Sequence, residues 1–203
     1  QGTETIFAQI AASALGVGLD DVAVHTGDTD SMPYGGGTFG SRGAGTGGET
    51  VHRAALALRD DILATAGRLL QTEPGALDIT GGEIVDRDGG AVRISLAELG
   101  DIVFFRTGEL ADDFSPELVA TRRYRVKDYM FTNGAHGCHA EIDVETGMVR
   151  LLDYWAVEDC GRLINPLLVE EQLRGAIVQG IGDALFEHCI HDENGQLQNG
   201  TMA

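Results

Sequence analysis

The sequence has 203 residues, with 32 acidic against 14 basic side chains and a formal net charge of −18. A length like this suits one large domain or two small lobes, removing about 70% of the unfolded chain's surface from water. Hydrophobic residues make up 43%, which excludes wholesale disorder. No apolar run approaches the ~18 residues of a membrane span, and the acidic balance argues against nucleic acid or an anionic membrane as partner.

In chain order, Ile6, Ile10 and Ala14 with Phe7 and Ala11 make one face of a helix over residues 4–15, stopped by Gly16 and Gly18. Val22 and Val24 alternate with polar neighbours and predict a short strand to Thr26. Gly27 to Pro33 is turn chemistry, in which Asp28 and Asp30 read as turn-capping carboxylates; the remainder of a calcium loop is missing. Glycine occurs 29 times, and eight of these fall between Gly35 and Gly48.

Val51, Ala55, Leu58, Ile62, Ala66 and Leu69 predict the clearest helix, with Thr46 and Glu49 at capping-box spacing before it. Leu77–Ile79 and Ile84–Val85 read as small strands, and Ser95–Leu99 as one or two helical turns. The acidic stretch Gly108–Thr121 reads as a surface linker, followed by a strand near Tyr124–Val126. Gly137–Val144 and Met148–Val157 form a hairpin across Glu145-Thr146-Gly147. Asn165-Pro166 is an N-cap followed by proline at the first helical position, opening a helix with Val169, Leu173, Ala176, Ile177, Gly180, Ile181 and Ala184 on one face. The expected fold class is α+β: two small lobes of mixed sheets with packed helices, part of a larger domain. Residues 1–107 are the first lobe, 108–121 the linker and 122–203 a truncated second lobe.

Three features could carry chemistry. The tract Tyr34–Gly48 lets backbone amides approach a ligand and leads into a helix N-terminus suited to phosphate. Its Gly35-Gly36-Gly37-Thr38-Phe39-Gly40 matches G-x-G-x-x-G formally, but too far from the preceding strand for a dinucleotide fold. Ser41-Arg42 replaces the Lys-Ser/Thr of a phosphate loop, so the tract is either a glycine loop holding a hydroxyl and a guanidinium or a flexible connection. Asp159-Cys160-Gly161 running into Asn165-Pro166 puts a strand end, a tight loop and a helix N-terminus together, either as an anion-holding turn or as a well-capped β-to-α connection. The clusters His136-Gly137-Cys138-His139 and His188-Cys189-Ile190-His191 hold zinc-type ligands, but neither closes a site, and no metal residues are assigned. No hydrolase signature occurs. The scattered cysteines Cys138, Cys160 and Cys189 point to a reducing, cytoplasmic compartment.

Three stretches in order carry a resemblance: QGTETIFAQIAASALGV from Gln1, HTGDTDSMPYGGGTFGSRGAGTGG from His25, and AVEDCGRLINPLLVEEQLRGAIVQGIGDALFE from Ala156. Together they resemble the molybdenum-cofactor-binding large subunit of the molybdenum hydroxylases, the family of xanthine dehydrogenase, aldehyde oxidoreductase and aerobic carbon monoxide dehydrogenase. The resemblance implies cofactor contacts at Gln1, Gly2, Thr3 and Glu4, at Ser41, Arg42 and Gly43, and at Asp159, Cys160, Ile164 and Asn165. It implies molybdopterin with molybdenum, in the cytosine dinucleotide form. It also implies partner subunits or domains carrying iron–sulfur clusters and FAD, and an oligomeric parent. The implied reaction oxidises a small molecule (an aldehyde, an N-heterocycle or carbon monoxide) with water as the oxygen source.

The family's catalytic glutamate sits in a Gly-x-Gly-Glu motif that does not occur here, so no catalytic residue is assigned and that glutamate is expected beyond Ala203. Thr3 stands where many relatives have histidine. The expected piece is thus a cofactor-binding segment, inactive alone. The rival reading is a non-catalytic nucleotide-binding or assembly module with the glycine tract as a linker.

Overall fold

The computed structural model describes residues 1–32, 34–111, 113–114 and 116–200. The expected turn at Gly27–Pro33 therefore includes one position, 33, outside the described residues, and the expected linker 108–121 includes two, 112 and 115. Two compact units form: Gly2–Met130, and Phe131–Ala203 taking in Gln1. The class is α+β, and both sheets are antiparallel.

In the first unit, α1 spans Thr3–Leu15 and ends on Gly16, whose φ of 82° lets its N–H reach back to the Ala12 carbonyl. The strand expected up to Thr26 does not form. A 3₁₀ turn at Leu19–Asp21 precedes coil, and among the described residues no strand pairs with Val22 or Val24. A π-helical stretch, Gly43–Gly48, runs directly into α2, Glu49–Leu70. The helix therefore begins upstream of Thr46, and the expected Thr46/Glu49 capping box is not made. Instead the Thr46 carbonyl accepts the Thr50 hydroxyl, 2.8 Å away.

β1 (Leu77–Thr80), β2 (Glu83–Asp86) and β3 (Val92–Ser95) make a three-stranded meander, and α3 follows at Leu96–Phe105. Ser95 caps α3 by accepting the Glu98 N–H at 3.0 Å. The core joins Ile62, Leu63 and Ala66 of α2 to Leu77, Ile79, Ile84 and Ile94 of the sheet and to Leu99, Ile102 and Val103 of α3. Leu110 and Leu118 pack against this core, and Tyr124 lies under Arg53 of α2, 4.5 Å from guanidinium carbon to ring centroid. The segment 108–121, expected as a linker, thus contributes apolar anchors to the first unit. No strand forms at Tyr124–Val126.

The second unit holds a hairpin of β4 (Asn133–Ile142) and β5 (Val149–Asp159), followed by α4 (Pro166–Leu185). None of its described residues is buried. Trp155, Val157, Leu167, Val178 and Phe186 all present large apolar surface to solvent.

Candidate functional site

The glycine tract separates into two kinds of glycine. An added Cβ at Gly48 would come within 2.9 Å of Ile10 Cδ1, at Gly47 it would strike the Phe7 ring, and at Gly45 the Met130 thioether. These glycines let α1 and the 130 region seat against the π-helical stretch. At Gly35, Gly37 and Gly40 the same atom would meet nothing within 4 Å. That part of the tract is open.

Arg42 closes the open part on itself. Its Nη2 donates to the carbonyls of Gly36 and Gly37, at 2.6 and 2.7 Å, and its guanidinium stacks on Phe39. Both bonds leave through one terminal nitrogen, so that among the described residues Nε and Nη1 have no acceptor and keep their donors for an anion. Ser41 holds a left-handed φ of 51°, a conformation uncommon outside glycine, and turns the chain into the helical stretch that starts at Gly43. The Arg42 carbonyl accepts the Thr46 N–H at 2.8 Å, and no side chain caps that start. The first helical amides, preceded by an arginine and a hydroxyl, make an environment that suits an anion.

Gly2 caps α1 with a φ of 67° and no side-chain bond, placing Thr3 and Glu4 in the first helical turn. Phe7 and Ile10 bring the following turns of α1 against Gly47 and Gly48.

In the second unit, Asp159 ends β5 and accepts the Gly161 N–H at 2.9 Å, with Gly161 at a φ of 78°. Asn165 caps α4 by accepting the Leu168 N–H at 3.2 Å, and Pro166 follows at the first helical position. Cys160 is a free, exposed thiol and Ile164 is exposed as well. The expected site residues thus fall in two groups. Gly2–Glu4 and Ser41–Gly43 belong to the first unit, and Asp159–Asn165 with Gln1 to the second.

His136 bridges the hairpin, with Nδ1 2.9 Å from Tyr154 Oη and Nε2 2.8 Å from Glu158 Oε1. No group of three or more His, Cys, Asp or Glu side chains among the described residues is arranged to hold a metal ion. Asp28 accepts the Asp30 N–H at 2.9 Å, as a turn-capping carboxylate does. The sequence reading did not anticipate the Arg53–Tyr124 stack, whose partners lie far apart in the chain. Among the described residues no helix is long and apolar enough to cross a membrane.

The family model for the molybdopterin cofactor-binding domain matches residues 1–203. The chain belongs to that family. Within the molybdopterin cofactor-binding domain family, it is 36% identical over 197 residues to the nicotine 6-hydroxylase large subunit of Paenarthrobacter nicotinovorans, covering 97% of this chain and 24% of that one. It is 30% identical over 198 residues to the carbon monoxide dehydrogenase large chain of Afipia carboxidovorans, again covering 97% of this chain and 24% of the relative. Among solved structures, quinoline 2-oxidoreductase from Pseudomonas putida 86 superposes with a TM-score of 0.88 at 39% identity, covering 98% of this chain and 25% of that one. This molybdopterin cofactor-binding domain therefore spans about a quarter of the length of the relatives it matches.

Proposed function

We propose that this domain holds the molybdopterin of a molybdenum hydroxylase large subunit, with Gln1–Glu4, Ser41–Gly43 and Asp159, Cys160, Ile164 and Asn165 as its contacts. The observation that carries the reading is the open half of the glycine tract, ending in Arg42 with two nitrogens to spare and an uncapped helical start at Gly43. A phosphate-bearing pterin fits that cradle. Arg42 binds phosphate through its planar fork, the amides from Gly43 donate to it, and the missing side chains at Gly35, Gly37 and Gly40 leave room for close approach. Asp159 and Asn165, each accepting a backbone N–H, order the two ends of the 159–165 loop. When bound, the cofactor supplies oxygen-atom and electron transfer; the protein binds, orients and shields it.

The parent subunit oxidises a small molecule with water as the oxygen source. Two of the relatives are named for nicotine and quinoline, which favours an N-heterocycle over an aldehyde or carbon monoxide. The cofactor carries a cytosine dinucleotide, and partner subunits or domains hold iron–sulfur clusters and FAD. The general base is a glutamate outside residues 1–203. The two units act as two cofactor-binding lobes of one subunit, and the exposed apolar faces of the hairpin and α4 are surfaces for the remainder of it. The setting is cytoplasmic, in keeping with three free cysteines.

The test is molybdenum and pterin content of the full-length subunit, produced with its partners in a host that makes the cofactor. Near-stoichiometric metal and pterin support the reading. Absence of both beside iron- and flavin-loaded partners leaves a nucleotide-binding or assembly module in its place.

A further inference from the structure

A second anion-suited feature lies in the first unit, outside every residue assigned to the cofactor. Four of the chain's 14 cationic side chains, Arg122, Arg123, Arg125 and Lys127, fall within six positions, and Lys127 is its one lysine. Most other arginines are engaged by carboxylates, as in Arg59–Asp78, Arg68–Asp113, Arg93–Asp86 and Arg106–Asp101. Among the described residues no carboxylate lies within 4.0 Å of Arg125 or Lys127.

These two side chains line a cleft of about 570 Å³ with Arg53, Tyr124, Asp128 and Met130. Arg53 forms a fixed wall. Its Nε sits 2.6 Å from Glu49, and its guanidinium lies over the Tyr124 ring. The volume falls in the range of small-ligand sites, which favours a compact polyanion over the flat surface of an acidic polypeptide. Arg125 offers a planar fork to one phosphate and Lys127 a point charge to the next. In a chain of net charge −18, such a cleft is a local reversal of field that draws anions to one place.

We propose that this cleft binds a phosphate-bearing anion of diphosphate size. The anion has two sources: the phosphate tail of the cofactor, which rests on the function proposed above, or a free nucleoside diphosphate, which does not.

The test is a calorimetric titration of inorganic pyrophosphate into the full-length subunit at low ionic strength, where exposed charges are least screened. It is run on cofactor-loaded protein and on protein from a host that makes no cofactor. Saturable binding to the cofactor-free form is expected. R125Q/K127Q weakens it about tenfold or more, and D128N tightens it, with thermal midpoints unchanged in both variants. Loss of pyrophosphate binding on cofactor loading identifies the cofactor's own phosphate as occupant. Persistence identifies a separate anion. The proposal is overturned by no saturable binding, by binding indifferent to R125Q/K127Q and abolished in R42A, or by a polyglutamate peptide binding where pyrophosphate does not. Failure of the cofactor reading shows separately, in molybdenum content.

Discussion

Arg42 lies over the ring of Phe39, its guanidinium carbon 3.9 Å from the ring centroid. The contact fixes a flexible cation at the mouth of a glycine loop, before the first helical amide at Gly43. The same side chain ties down the carbonyls of Gly36 and Gly37, so the loop and its cation are ordered together. Three consequences of this kind of local ordering, and one of charge, are open to measurement.

Removing the fork removes both the loop tie and the anion partner. R42A is expected to lower the molybdopterin retained per full-length subunit about tenfold or more, and R42K, which keeps only a point charge, lies between. F39A leaves the charge but frees it, with a loss of about two- to fivefold, corresponding to about 0.5–1 kcal/mol for an exposed cation–π contact. Pterin release and elemental mass spectrometry on the same samples give the answer.

The two kinds of glycine separate under alanine substitution. G47A drives a methyl into the Phe7 ring and is expected to cost about 1–3 kcal/mol, as overpacking does. G35A meets open space and stays within about 0.5 kcal/mol of the parent. Thermal or urea unfolding of the cofactor-free protein reads both, and pairing G47A with F7L recovers part of the loss.

Helix α4 depends on its cap. N165A leaves the Leu168 N–H without its acceptor and is expected to cost about 1 kcal/mol, whereas N165D keeps an acceptor and most of the stability. Faster hydrogen exchange at amides 167–169 in cofactor-free protein would register the loss without involving any bound group.

Asp143 is held below its usual pKa of 3.8 by the Glu145 N–H, with the Thr146 side chain and N–H contributing after it. Because the folded value is depressed, the contribution to the 143–147 turn is full above the ordinary carboxylate range. It disappears as the pH falls through the lowered value. An NMR titration of the Glu145 amide shift should show a midpoint under 3.8, and D143N should abolish that step.

Where a segment carries its own periodicity or cap, the sequence alone was enough to find it. The 3.6-residue stepping of α2, the Asn165-Pro166 start of α4 and the hairpin turning at Glu145–Gly147 all have their counterparts in the structure. Val22–Thr26 and Tyr124–Val126 have strand-like composition, but a strand needs a partner, and the composition of one segment does not say whether another lies beside it. The glycine tract was legible as a close-approach segment. Its division was not, because Phe7 and Ile10 reach Gly47 and Gly48 only once α1 has folded back. The self-contained hold on Arg42, and the Arg53–Tyr124 stack across distant residues, are likewise products of packing.

The most direct test is a crystal structure of the cofactor-loaded full-length subunit. The expected result places a phosphate oxygen within hydrogen-bond distance, about 3 Å, of the Arg42 guanidinium or the Gly43 amide, with the 159–165 loop also against the cofactor. A cofactor bound elsewhere, with Ser41–Gly43 and Asp159–Asn165 both free of contact to it, would contradict the central claim.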